Sequence, residues 1–292
     1  MKNYIVTCCS TVDLTKELLD NRNIPFVSFS MNINGVTYKD DYVSYPIDKF
    51  YEEISNGVMP TTSQVNSDEY HEFFEKYLKE GLDIFHICLS SGISGTINSC
   101  RIAAEELNEK YPNKVYFIDS LCCSGGYGLL TLMAKDNLDK GMSLEDNYKD
   151  IESKRLHLQH WFFSTDLSSY IRGGRISKAA GLIGGALQIC PLMTVNRNGK
   201  LEPVEKIRTK AKAMKLAIEK MIELCDNGLE YSGPVYMQES ACLEDAQNFA
   251  SMIKETFKNV KEVNIFNVGL VVGAHTGPGT IALYFMGKER EY

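Results

Sequence analysis

The sequence predicts an α/β protein of two domains, the first built on a parallel sheet and the second on a mixed, largely antiparallel one. Three observations carry this. Short apolar runs alternate with amphipathic helical patterns through the first half, the rhythm of strand–helix–strand units. Near residue 156 the rhythm changes, and strand candidates begin to outnumber helices. The chain has 292 residues, 44% of them hydrophobic and 24% charged, enough to bury a sizeable core. The expected division is an N-terminal domain over 1–155 and a C-terminal domain over 156–292.

The first strand is "NYIVTC". The opening lysine and short apolar run superficially suit a secretory signal, but polar Ser10, Thr11 and Asp13 follow at once without a clear cleavage site. A helix, "DLTKELLDNRN", comes next. "PFVSFSMNINGVTYKDD" reads as a hairpin, because Asn34-Gly35 between β-rich segments favours a type I′ turn. The helix "DKFYEEIS" and the loop "MPTTSQVN" follow. "SDEYHEFFEKYLKEG" has a capping serine, early acids and Gly81 as its stop. The strands "LDIFHICLS" and "KVYFIDS" run directly into "SSGISGTINS" and "LCCSGGYGLLTLMAK". Three strand ends thus carry Ser/Thr/Gly-rich loops, and ligands of open α/β sheets bind beyond the carboxyl ends of the strands.

In the second half the strand candidates are "HWFFSTD", "QICPLMTVN", "KLEPVEKIR", "PVYMQES", "EVNIFNVG" and "GTIALYFMG", with helices near 176–188, 208–226 and 241–258.

Composition removes several function classes. A net charge of −7 and no basic run leave no electrostatic footprint for nucleic acid. The nine cysteines are an odd number scattered through strands and helices, the pattern of a reducing compartment, so a cytoplasmic protein is expected. There is no Cys-x-x-Cys, and adjacent cysteines point to opposite faces of a strand, so no metal site is expected. No apolar run reaches the ~18–20 residues of a membrane-spanning helix. A P-loop, a dinucleotide fingerprint and an H-E-x-x-H helix are all absent, so no cofactor is expected.

Four stretches carry binding chemistry. "SSGISGT" is built of small residues apart from Ile93; its glycines admit a ligand to the backbone, and freed N–H groups at the next helix attract an anion. It reads equally as a serine-capped helix start. "PTTSQV" offers the hydroxyls of Thr61, Thr62 and Ser63 beside Gln64, which suit a carboxylate or simply cap a turn. "YIRGGRIS" sets two arginines around paired glycines, a clamp for carboxylate or phosphate, or a solvated loop. "VVGAHTGPGTIALYF" places His275, one of five histidines, in a glycine-rich turn between apolar runs, as a binding group or a solvated bystander. The helix "KAAGLIGGALQI" holds three glycines, each costing up to ~1 kcal/mol against alanine, for close packing or for an apolar slot.

Taken together, "TTSQV", "SSGISGTINS", "DS" before "SGGYGLL", "YIRGGRIS", "CPLMTVNRNGKL", "KIRTKAKA" and "GAHTGPGT" resemble, in order and approximate spacing, the DegV family of bacterial fatty-acid-binding proteins. The resemblance covers essentially the whole chain. It implies one long-chain fatty acid held between two α/β domains, with the acyl chain in the C-terminal domain. It further implies a lipid carrier without catalysis of its own, which presents the carboxylate to a separate ATP-binding kinase subunit for acyl phosphate formation in phospholipid synthesis, with transient membrane contact.

By motif position the resemblance makes Thr62, Ser94 and His275 the carboxylate ligands, with Thr61, Ser63, Gly95, Thr96 and Gly277 nearby. Arg175 and Arg208 match arginines that serve partner docking or phosphoryl transfer. Ile93, Leu182, Ile183, Gly184 and Leu187 are the acyl-pocket candidates. The chain departs from the family at Cys9, where the first strand commonly ends in an acid, and at "MQESACLEDA". Two competing readings stay open. One is a stand-alone acyl hydrolase or transferase using Ser94 and His275, although "GISGT" has Thr96 where the nucleophile elbow needs glycine. The other is a sensor of a non-lipid carboxylate.

Overall fold

A computed structural model describes residues 3–177 and 189–291. The first half contains β1 (Tyr4–Cys9), β2 (Phe26–Val27), β3 (Ser30–Ile33), β4 (Val36–Lys39), β5 (Thr61–Ser63), β6 (Asp83–Cys88) and β7 (Val115–Asp119). Four of them form a parallel sheet in the order β2-β1-β6-β7. Every residue of β1 and β6 is buried, as expected of parallel strands covered on both faces. Alternation along β6 shows the two coverings. His86 packs edge-on against Tyr70 and Phe74 of the helix Ser67–Lys79, whereas Phe85 meets Tyr148 of the helix Leu144–Lys154.

The hairpin forms around Asn34 and Gly35, both at positive φ (52° and 80°), but it is shorter than expected. Phe26 and Val27 leave it to pair with Cys8 and Cys9 in the parallel sheet. Its open edge is taken by Thr61–Ser63, which the sequence reading placed in a loop. Two consecutive β-branched residues beside an unpaired strand suffice for that. The cap of the helix Ser67–Lys79 also differs. Asn66, not Ser67, accepts the Glu69 N–H at 2.9 Å while the Glu69 carboxylate accepts the Asn66 N–H, a capping box.

The second half contains β8 (Leu158–Ser164), β9 (Leu192–Val195), β10 (Leu201–Glu205), β11 (Val235–Glu239), β12 (Val263–Asn267) and β13 (Thr280–Met286). They form one sheet, β10-β9-β8-β13-β11-β12, in which only β11 and β12 run parallel. One core on this sheet joins Trp161, Phe163, Met237 and Leu283 to residues of the helices Lys210–Leu224 and Leu243–Thr256. A second joins Phe162, Met193, Ala282 and Tyr284 to Tyr170 and Ile176. The helix expected over 176–188 falls almost wholly outside the described residues.

Two contacts lock the sheets together. At the start of the helix Gly125–Asp139, a Cβ on Gly125 would lie 1.9 Å from the Gln238 amide and one on Gly126 would lie 2.1 Å from His160 Nε2. Only glycine lets the helix sit this close to β11 and β8. The second contact is Arg290, 2% exposed, whose guanidinium donates to the carbonyls of Leu121, Arg155, Val195 and Asn196 at 3.0–3.2 Å.

Candidate functional site

A cavity of about 660 Å³ opens between the mixed sheet and the loops at the carboxyl ends of the parallel strands. Its size falls in the ordinary range for small-ligand sites. Phe162, Ala282 and Tyr284 of the mixed sheet, with Phe29, Leu89, Tyr170 and Val271, supply apolar wall. Thr62, Ser94, Arg172, Arg175 and His275 supply its polar groups.

His275 does not sit on a turn. It occupies the last turn of a helix, Leu270–Thr276, closed by Gly277 at φ 68° and ψ −179°, a backbone conformation that favours glycine. The helix packs through Leu270 and Ala274 on Met31, Phe50 and Tyr51, which places its C-terminal end beside β5. There His275 Nε2 lies 2.8 Å from Thr62 Oγ1. Its Nδ1 is buried with no hydrogen-bond partner among the described residues, against Gly173, where a Cβ would approach to 2.2 Å. Burial, with the nearby positive charges of Arg175 and Arg172, lowers the imidazole pKa to about 4. The group is therefore neutral at pH 7, a hydrogen-bonding group and not a counter-charge. The charge at this end belongs to the arginines. Arg175, half-buried, donates to Gly173 O at 2.5 Å, and exposed Arg172 donates to Ser169 Oγ at 2.9 Å.

Ser94 stands just before the helix Thr96–Lys110, where its Oγ accepts the Thr96 N–H at 3.2 Å. The loop is held from the second half: Ser90 donates to Gly199 O at 2.8 Å, and a Cβ on Gly92 would meet Asn198 O at 2.5 Å. The His275 imidazole is bonded to Thr62 and the Ser94 hydroxyl to the Thr96 N–H, so among the described residues the two are not paired as nucleophile and base.

The cavity brings together Thr61, Thr62, Ser63, Ile93, Ser94, Gly95, Arg175 and His275. Thr96, Gly277 and Arg208 are not in its wall. Thr96 is buried with its hydroxyl 3.0 Å from that of Tyr70, Gly277 ends the short helix, and Arg208 is exposed between β10 and the next helix. Leu182, Ile183, Gly184 and Leu187 lie outside the described residues.

The sequence reading missed what anchors the other end of the Leu270–Thr276 helix. Asp13, at φ 50° just after β1, is buried and accepts the Ser124 hydroxyl at 2.5 Å. A Cβ on Gly269 would meet its Oδ1 at 2.6 Å. Asp40 lies at the same helix end, where burial raises its pKa to about 6 against hydrogen bonds from Ser10 and the Leu270 N–H. Burial also raises Asp13 well above the usual carboxylate range. Two acids from the first half thus face the helix that carries His275, where the partial positive end of the helix favours carboxylates. The visible signal was "STVDL", a polar break directly after a buried strand.

A DegV domain-containing protein of Clostridium perfringens is 36% identical over 293 residues, covering 100% of both chains. The solved structure of a DegV family protein from Thermus thermophilus, described by its fatty acid binding, superposes with a TM-score of 0.87 at 26% identity, covering 99% of this chain and 100% of that one. DegV of Bacillus subtilis, a fatty acid binding protein, does so with a TM-score of 0.84 at 28% identity, covering 99% and 100%. The family described as "Uncharacterised protein, DegV family" matches residues 5–288, nearly the whole chain, and the chain belongs to that family.

Proposed function

We propose that this protein binds one long-chain fatty acid between an N-terminal domain, 1–155, and a C-terminal domain, 156–292, and carries it as a substrate for a partner. The observation that carries the reading is a cavity with hydroxyls and a neutral imidazole among its polar groups and apolar side chains over much of its wall. The related fatty-acid-binding proteins of Thermus thermophilus and Bacillus subtilis support it.

Thr62, Ser94 and His275 take the carboxylate, with Thr61, Ser63 and Gly95 around them. Arg175 and Arg172 offset its charge from the cavity rim. Phe162, Ala282 and Tyr284 receive the tail. At ~0.8 kcal/mol per buried methylene, a tail of about sixteen carbons gains on the order of 10 kcal/mol before the costs of ordering it.

The reaction beyond binding belongs to a separate ATP-binding kinase subunit, which phosphorylates the presented carboxylate for phospholipid synthesis in the cytoplasm. The ligand is gained or passed on through transient membrane contact. Arg208, exposed and away from the cavity, serves that partner and not the lipid. The pairing of His275 with Thr62 favours a carrier over a hydrolase, because the imidazole is committed to a ligand-facing hydroxyl.

The test is mass spectrometry of the natively purified protein, followed by extraction and identification of its cargo. One fatty acid per chain is the expected result. An empty protein that also takes up no added fatty acid overturns the reading, and rapid release of product from an activated acyl ester, abolished in Ser94→Ala, points to the hydrolase.

A further inference from the structure

A second constellation lies in the parallel sheet, separate from the groups assigned to the lipid. The register of β1 against β6 sets Thr7 beside His86. Because alternate strand residues share a face, Thr7, Cys9, His86 and Cys88 all point toward the helices Ser67–Lys79 and Thr96–Lys110. The second helix adds Cys100. A ring nitrogen of His86 and the sulfurs of Cys88 and Cys100 lie within 4.8 Å of one another. Cys9 Sγ is 3.6 Å from His86 Nε2. All four side chains are 0% exposed.

These distances have a chemical meaning. A tetrahedral zinc ion with Zn–S of about 2.3 Å and Zn–N of about 2.0 Å spaces its ligand atoms about 3.5–3.8 Å apart. The histidine is also oriented as ligating histidines are: Nδ1 lies 2.9 Å from Thr7 Oγ1, and this leaves Nε2 facing the thiols. Edge-on contacts with Tyr70 and Phe74, at 5.4 and 5.2 Å between ring centres, fix the ring plane. The Tyr70 hydroxyl lies 3.2 Å from Cys9 Sγ and 3.0 Å from Thr96 Oγ1.

We propose that Cys9, His86, Cys88 and Cys100 form a binding site for one zinc ion, which ties β1 and β6 to the helix Thr96–Lys110. On binding, each ligating thiol loses its proton to solvent, the imidazole stays neutral, and four metal–ligand bonds form with no change of oxidation state. Linear spacing hides the site, since Cys9 and His86 are 77 positions apart and meet only through strand pairing.

The test uses the full chain expressed in zinc-supplemented and, separately, cobalt-supplemented medium and purified under reducing conditions. The expected result is close to one ion per chain by elemental analysis, with the thiolate-to-cobalt charge-transfer absorption of a tetrahedral site. Cys88→Ala and Cys100→Ala should abolish that absorption. If they fail to fold, Thr7→Val, which removes only the hydroxyl that orients His86, should weaken zinc binding about 10- to 100-fold. A wild-type chain that carries neither metal, or a cobalt spectrum lacking thiolate absorption or unaltered by every one of these changes, overturns the proposal. Fatty acid content, measured on the same preparations, reports the cavity independently.

Discussion

Among the polar contacts between the two halves of the chain, those around Arg290 and those around His275 are built differently. Around Arg290 a fully buried guanidinium donates to four carbonyls, two from each half. Around His275 the hydroxyls of Thr62 and Ser94 and one imidazole make few bonds, and His275 Nδ1 has none among the described residues. A guanidinium that donates to carbonyls of both halves, with only its Nε unpartnered among the described residues and no place in the cavity wall, holds a fold together, whereas groups with spare hydrogen-bonding capacity at the wall of a cavity are free to receive a ligand. The first junction is structural and the second is receptive.

The strongest way to break this contrast is at Arg290. Arg290→Met strands four buried carbonyls and should cost about 3 kcal/mol or more of unfolding free energy, read by chemical denaturation, while the protein that remains folded keeps its lipid affinity. A small stability change with a large loss of lipid would reverse the two roles. Thr62→Val should do the opposite, weakening fatty acid binding about 5- to 30-fold in a titration, the equivalent of one or two hydrogen bonds, with a melting temperature close to wild type. Ser94→Ala should act in the same direction and more weakly, because its hydroxyl already accepts the Thr96 N–H.

Acidification sharpens the contrast further. His275 has a folded-state pKa of about 4, below the usual imidazole value of 6.5, so the unfolded chain binds its proton first. Its contribution to stability is fully present above about pH 6.5 and is lost as pH falls toward 4. His275→Gln should flatten the pH dependence of stability across that window. Binding a carboxylate should move the imidazole pKa upward, which proton NMR of the ring can follow. The smallest effect is expected at Arg208. Arg208→Ala should leave lipid affinity within twofold of wild type and, if the proposed kinase coupling holds, should lower acyl phosphate formation in a reaction reconstituted with that kinase.

Local pattern made much of the architecture legible. The Asn34-Gly35 turn, the strand runs on both sides of residue 156 and the Ser/Gly-rich strand ends all appear where their residues predict them. What stayed hidden depends on partners distant in sequence. Thr61–Ser63 becomes a strand only because β3 offers an open edge. Asp13 and Asp40 reveal their role only once residues 269–271 fold back onto them. At the site, Thr62, Ser94 and His275 stood out as polar residues among small ones, but the helix under His275 is only seven residues long and gives little periodic signal. The family resemblance set Thr96 near the carboxylate, and its hydroxyl instead faces Tyr70 in the interior.

Gly125 and Gly126 carry one more consequence, in evolutionary terms. They belong to "SGGYGLL", a stretch that invites reading as a ligand loop, yet any side chain there would collide with Gln238 or His160 across the seam. A saturation library scored for folding alone should therefore hold to glycine most strictly at 126, where the His160 ring stands in the way, and less strictly at 125, where the Gln238 amide can swing aside. That preference would then record how closely two sheets must approach, and a motif common to relatives would mark a joint as much as a binding site.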